Sequence, residues 1–255
     1  LLAVSDLGDT QLIGCLNDGN VLAWYGKAIG LLPRLGAVGL ALEPFDEAFM
    51  ARENAIFPEW LLGHHLNLSL DETEQQLLDE MFACLTENNL AQPQGVMHRD
   101  FHSRNLMVCG GDTPDDSRLA VIDFQDMVMG PLSYDLVSLL KDCYVRWPDE
   151  VIERGMGHGF DTLSRAGLLG GLDYASFRRH ADLTGMQRHL KAAGLFTRLY
   201  HRDGKSGYLK DIPRTLGYVV DVCHTHGAEH PVLARFGLWL EQVVLPGLAR
   251  TGVAS

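Results

Sequence analysis

Two short stretches hold the residues whose types and spacing could do chemistry. The first is Met97-His98-Arg99-Asp100-Phe101-His102-Ser103-Arg104-Asn105-Leu106-Met107, and the second is Val121-Ile122-Asp123-Phe124-Gln125-Asp126. Asn105 follows Asp100 in an H-R-D-x-x-x-x-N spacing. Such a set suits transfer of a phosphoryl group from ATP to an alcohol. That reaction asks little of a protein. One carboxylate must accept or orient the proton of the attacking hydroxyl, and two oxygen ligands must hold Mg²⁺ against the β- and γ-phosphates. Asp100 suits the first task; Asn105 and Asp123 suit the second. Oxygen donors with several retained waters meet the octahedral demand of Mg²⁺. Three polar loop residues can also be solvated by chance, and a lone H-R-D is weak. The full pattern, with apolar runs in the right places, carries the reading.

Those residues need elements to bring them together. Leu106–Cys109 and Leu119–Ile122 are short apolar runs separated by a polar, turn-forming stretch, Gly110 to Asp116, which predicts a β-hairpin. The hairpin returns the chain so that Asp123 emerges beside Asp100 and Asn105. Before it, Ser69 followed by Glu72 reads as a capping box. Leu77, Leu78, Met81, Phe82 and Leu85 then line one face of a helix ending near Asn88-Asn89. After the hairpin, Ser133 is the expected N-cap of a helix through Leu136, Val137, Leu139 and Leu140. Tyr174–Gly194, Arg214–His224 and Pro231–Leu248 also read as helical. Leu1–Leu7 reads as the end of an apolar strand. The expected fold class is α+β and dominated by helices. Asp135 is either a helix-terminal charge or a buried carboxylate that holds the backbone of the Asp100 loop.

Bulk properties exclude several alternatives. The chain has 255 residues, 46% of them hydrophobic, enough to bury a substantial core. A net charge of −12 disfavours nucleic acid and anionic membrane as partners. No run approaches the length of a membrane-spanning apolar segment. No signal peptide is evident from Leu1 onward. Five unpaired-looking cysteines suggest small buried hydrophobes in a reducing cytosol, so the expected location is cytoplasmic.

The stretch His98 to Asn105, with His102 two residues after the base, resembles the aminoglycoside phosphotransferase and choline kinase superfamily. Its members share the protein-kinase-like fold. Asp123-Phe124-Gln125 departs from the protein-kinase D-F-G at a position that varies in the superfamily. Tyr134-Asp135-Leu136 matches its Y-D-L segment. Within it, Asp123 to Asp126, Gly130 to Tyr144, Trp147-Pro148, Gln187 to Lys191 and Arg202 to Arg214 resemble the bacterial anomeric N-acetylmuramate/N-acetylglucosamine kinases. The resemblance implies ATP and Mg²⁺ as cofactors and an amino sugar as acceptor. It also implies a sugar 1-phosphate product for a nucleotidyltransferase in peptidoglycan recycling. It further implies a kinase C-terminal lobe over 11–255. Residues 1–10 would be the last N-lobe strand and the hinge, with most of the N-lobe absent from this sequence. The backbone of Ser5, Asp6, Leu7 and Gly8 would then meet adenine, although Gly8 also reads as an ordinary turn.

Acceptor residues are less sharply marked. A sugar cleft needs a few convergent polar groups and an aromatic or apolar wall. Phe57-Pro58-Glu59-Trp60 resembles a stretch of the same kinases, which makes Glu59 and Trp60 candidates. A helix-terminal charge and a packed Trp are the alternatives. Gln125 and Asp126 follow the metal ligand, and His102 lies in the loop. A basic cluster from Arg188 to Arg214 reads as a solvated helix face. Arg202 or Arg214 is the candidate for a substrate carboxylate, because arginine binds carboxylates bidentately. Aminoglycoside, choline or homoserine acceptors, and a non-catalytic binding role, are the alternative functions.

Overall fold

The two apolar runs around Asn105 and Asp123 form the expected hairpin. In the computed structural model, which describes residues 6–36, 39 and 41–252, β2 (Leu106–Gly110) pairs antiparallel with β3 (Ser117–Val121), Leu106 opposite Val121. A second antiparallel pair, which periodicity did not indicate, joins β1 (Gln94–Met97) to β4 (Val128–Pro131). These runs are short and contain Gly95 and Gly130, so their alternation is illegible until the partner strand is present. The strand expected over Leu1–Leu7 lies mostly outside the described residues, and Asp6 and Leu7 are not extended into one.

Helices make up most of the rest. They are α1 (Val21–Ile29), α2 (Leu32–Leu35), α3 (Glu47–Asn54), α4 (Glu72–Ala91), α5 (Ser133–Leu140), α6 (Asp149–Arg165), α7 (Tyr174–Asp203), α8 (Ile212–His226), α9 (Pro231–Trp239) and α10 (Leu245–Arg250). Wide π-type turns occupy Phe57–His65 and Leu240–Val244, the second interrupting the helix expected through Leu248. The early helices and α6 were not anticipated.

The chain divides into two compact units. Residues up to Pro44 with Pro93–Arg178 form the first, and Phe45–Gln92 with Arg179 onward form the second. In the first unit Trp24, Tyr25, Phe101, Leu106, Tyr134, Leu136 and Met156 are buried. Trp147 Nε1 donates to Tyr25 Oη at 2.8 Å, satisfying a polar atom inside that core. α6 lies close against α5. A Cβ on Gly155 would come within 2.3 Å of Leu140, and one on Gly159 within 2.4 Å of Leu136. The glycines therefore let α5 seat where it does.

In the second unit the capping box sits two residues later than expected. Asp71 Oδ1 accepts the N–H of Glu74 at 2.8 Å, and Glu74 Oε2 accepts that of Asp71 at 3.0 Å. The local pattern occurs twice in sequence; the start at Asp71 puts Glu72 and Glu74 in the first turn, where the helix dipole favours them. α4 also runs past Asn88-Asn89 to Ala91. Both asparagines are buried and bond inward instead of ending the helix. Asn88 Nδ2 donates to the carbonyl of His180 at 3.2 Å, and Asn89 Oδ1 accepts the Thr184 hydroxyl at 2.8 Å. The Glu53–Lys191 pair, 2.9 Å apart, is nearly buried beside Gln187. The stretch Pro231–Arg250 is apolar and long enough to cross a membrane by composition. Leu233, Phe236, Leu240, Val244 and Leu248 are nevertheless buried within this unit, as core residues are. Cys223 is buried too; burial, aided by Glu241, pushes its thiol up to about 12 and leaves it inert.

Candidate active site

The site lies in the first unit and is built on one tight loop between β1 and β2. The loop is closed by its own backbone. His102 N–H donates to Asp100 O at 3.0 Å, and Asn105 N–H donates to His102 O at 2.9 Å. Asn105 Nδ2 then reaches back to Asp100 O at 3.1 Å. The same Nδ2 lies 3.4 Å from Asp123 Oδ2. Ile122 N–H donates to Asn105 O at 3.0 Å, which brings the end of the hairpin against the loop. Asp100, Asn105 and Asp123 are thus drawn together from two neighbouring segments.

Two buried carboxylates set the loop. Asp135, 3% exposed in the first turn of α5, accepts the N–H of His98 at 2.7 Å and that of Arg99 at 3.0 Å. The buried-carboxylate alternative is the one the structure adopts. Ser133, by contrast, does not cap α5: it is buried as the first helical residue, with Leu132 at the cap. β4 runs to Pro131, so the strand leaves no extended residue at Ser133 to act as a cap. The second carboxylate is Asp142, 0% exposed, which accepts the N–H of Ser103 at 3.2 Å and the Ser103 hydroxyl.

His98 is buried, and its Nε2 lies 3.0 Å from the carbonyl of Ile122. Nε2 must carry the hydrogen, because a carbonyl only accepts. Burial lowers the imidazole pKa below its ordinary value, so His98 stays neutral and ties the loop to the residue before Asp123. Arg99 and Asp123 both adopt left-handed backbone angles, φ 75° and 64°. Such strain in non-glycine residues persists only where surrounding bonds impose it, as Asp135 does at Arg99.

The donor set suits Mg²⁺. Asn105 spends its amide nitrogen on Asp100 and Asp123, which leaves Oδ1 as the atom available to a cation. Among the described residues no group of three or more His, Cys, Asp or Glu forms a caged metal site. Two oxygen ligands fit an ion that draws its remaining ligands from water and phosphate.

The other expected residues fall as follows. Gln125 is exposed, and its Nε2 donates to Asp123 Oδ1 at 2.7 Å. Asp126 is exposed, and its carbonyl accepts from Arg99 Nη1 at 3.3 Å. His102 is 8% exposed, with its ring edge-on to Tyr144 at 5.4 Å. Ser5 lies outside the described residues. Asp6 Oδ1 accepts the N–H of Gly8 at 2.9 Å, in a turn where Gly8 has φ 74°. Glu59, Trp60 and Arg202 belong to the second unit. Glu59 is exposed, and the half-buried Trp60 ring lies 4.7 Å from that of His64. Arg202 is exposed and bonds both oxygens of its neighbour Asp203, at 2.8 and 2.9 Å. Arg214 pairs with Asp211 at 2.8 Å. Sequence reasoning missed Ser103, Asp142 and Tyr144. The one available signal was an acidic residue two positions after the largely apolar stretch Leu136–Leu140.

A loop carrying Asp100 and Asn105, a hairpin, and Asp123 returning beside them, held by carboxylates in and just after one buried helix, have the layout of a phosphoryl-transfer enzyme. The chain belongs to the phosphotransferase enzyme family, whose sequence profile matches residues 1–169. It is 35% identical over 238 residues to the N-acetylmuramate/N-acetylglucosamine kinase of Pseudomonas putida, covering 92% of this chain and 67% of that protein. It is 36% identical over 239 residues to the protein of the same name from Neisseria meningitidis, covering 91% of this chain and 70% of that one. Among solved structures, Plasmodium vivax ethanolamine kinase shares the fold at 12% identity and a TM-score of 0.54, over 79% of this chain and 59% of that one. An ADP-bound aminoglycoside phosphotransferase, APH(2'')-Ib, does so at 13% identity and 0.50, over 83% of this chain and 68% of that one.

Proposed function

We propose that this protein moves the γ-phosphate of ATP onto the anomeric hydroxyl of N-acetylmuramate or N-acetylglucosamine. The observation that supports phosphoryl transfer is the Asn105 amide bridging the Asp100 backbone carbonyl, at 3.1 Å, and the Asp123 carboxylate, at 3.4 Å, which brings the two segments together. The acceptor is inferred from the names of the relatives. In this reading the Asp100 carboxylate takes the proton of the sugar hydroxyl as its oxygen attacks the γ-phosphorus. A new P–O bond forms in line with the breaking bond to ADP. Asn105 and Asp123 would hold Mg²⁺, which when bound offsets the negative charge of the β- and γ-phosphates. Gln125 keeps its Nε2 on Asp123 and has its amide oxygen left for an acceptor hydroxyl. The turn at Asp6, Leu7 and Gly8 would offer backbone groups to adenine. The product, a sugar 1-phosphate, suits a nucleotidyltransferase of wall recycling, and its ATP supply places the reaction in the cytoplasm.

The test is ATP turnover by the full-length protein over a panel of amino sugars, aminoglycosides, choline and homoserine, with and without Mg²⁺. Turnover confined to choline or an aminoglycoside would remove the sugar assignment. Asp100→Asn keeps the shape and loses the base, so kcat is expected to fall by about a hundredfold or more. Unchanged turnover in that variant would take Asp100 out of the mechanism.

A further inference from the structure

We infer that Asp142 is a positioning residue for the metal-binding side of the site, acting through Ser103 and Tyr144. The inference rests on the phosphotransfer reading above. Asp142 is fully buried just beyond the end of α5. A buried carboxylate is costly unless donors satisfy it, and here the donors all come from residues bordering the site. Oδ2 takes the N–H and the hydroxyl of Ser103, and Oδ1 takes the N–H of Tyr144 at 2.9 Å. Tyr144 in turn carries the Arg104 guanidinium 3.6 Å from its ring centroid and the edge of His102 at 5.4 Å. One carboxylate therefore sets His102, Ser103 and Arg104, the three residues that lead into Asn105.

Asp135 in α5 and Asp142 just beyond its end divide the loop between them. Asp135 binds the N–H groups of His98 and Arg99, immediately before the base. Asp142 binds Ser103, after the base and before the metal ligand. Asn105 depends on the second hold directly, because its own N–H rests on the carbonyl of His102 at 2.9 Å. Loosening Asp142 should then let Asn105 Oδ1 wander while Asp100 stays in place.

The experiment uses Ser103→Ala, Asp142→Asn and Tyr144→Ala in the full-length protein, with Asp135→Asn for contrast. Mn²⁺ binding in the presence of a non-hydrolysable ATP analogue is read by electron paramagnetic resonance, alongside the Mg²⁺ dependence of turnover. Each of the three variants is expected to weaken Mn²⁺ binding about tenfold, the usual scale for residues that orient a metal ligand, with kcat at saturating Mg²⁺ kept within about threefold. Asp135→Asn is expected to lose kcat and keep its metal affinity. Ser103→Ala retains the backbone N–H to Asp142 and carries the test should Asp142→Asn not fold. Wild-type metal affinity in folded Ser103→Ala and Tyr144→Ala overturns the inference. So does a kcat loss that is the same at every Mg²⁺ concentration. If the wild-type protein binds no Mn²⁺ with nucleotide, or if Asp123→Ala binds it equally well, the phosphotransfer reading fails and takes this inference with it.

Discussion

Asp135 satisfies two backbone donors with its two oxygens, at 2.7 and 3.0 Å. An asparagine in its place has one acceptor, and its NH₂ would face an N–H. Asp135→Asn is therefore expected to cost about 2 kcal/mol of stability, the scale of a lost hydrogen bond to a charged group. Denaturant melts of the two proteins would check this, and equal midpoints would refute it. The same bonds explain how Arg99 is kept at φ 75°. The grouping of Asp100, Asn105 and Asp123 was legible in sequence because its spacing is local: Asp100 and Asn105 share one loop, and a hairpin of predictable length returns Asp123. Asp142 was not, because nothing in Lys141-Asp142-Cys143 indicates that its carboxylate faces Ser103, 39 residues earlier.

Elements pack where side chains permit close approach, and glycine marks the tightest places. Gly194 in α7 abuts the turn at Ile56 and Phe57. A Cβ there would lie 2.5 Å from the Ile56 carbonyl oxygen and 2.8 Å from Phe57 Cα. Those are backbone atoms that no rotamer change can move aside. Gly194→Ala is expected to destabilise the protein by about 1–3 kcal/mol, despite the better helix propensity of alanine. A rise in melting temperature would contradict it. Helix starts were less legible than helix faces. The apolar stripe of α4 was plain, but Ser69–Glu72 and Asp71–Glu74 both satisfy the capping rule. The choice between them depends on how the whole helix sits.

At the scale of the whole molecule, acid should weaken the fold. His65 and His180 both have pKa values lowered by burial, His65 further by His201 and His180 further by Arg179. The unfolded chain then binds protons more readily than the folded one. The stability tied to these residues is full above the ordinary imidazole value of 6.5 and falls as pH drops through it toward the lowered folded values. Melting temperature is expected to decline between pH 7.5 and pH 5.5, and His65→Asn should flatten that slope. An equal slope in the variant would remove His65 as a source. The His65 Nδ1–His201 Nε2 contact of 3.1 Å is the geometry through which His201 disfavours a charge on His65.

Local chemistry was the sequence's own contribution. Motif spacing, the hairpin and the apolar faces of the long helices follow from rules that act over a few residues, so they can be read along the chain. Tertiary structure alone decided which carboxylates are buried, where β1 finds β4, and that Asn88 and Asn89 continue a helix instead of ending it. Each of those outcomes needs a partner distant in sequence. The desolvation of a polar group, and the donor that offsets it, exist only once the chain has folded around both.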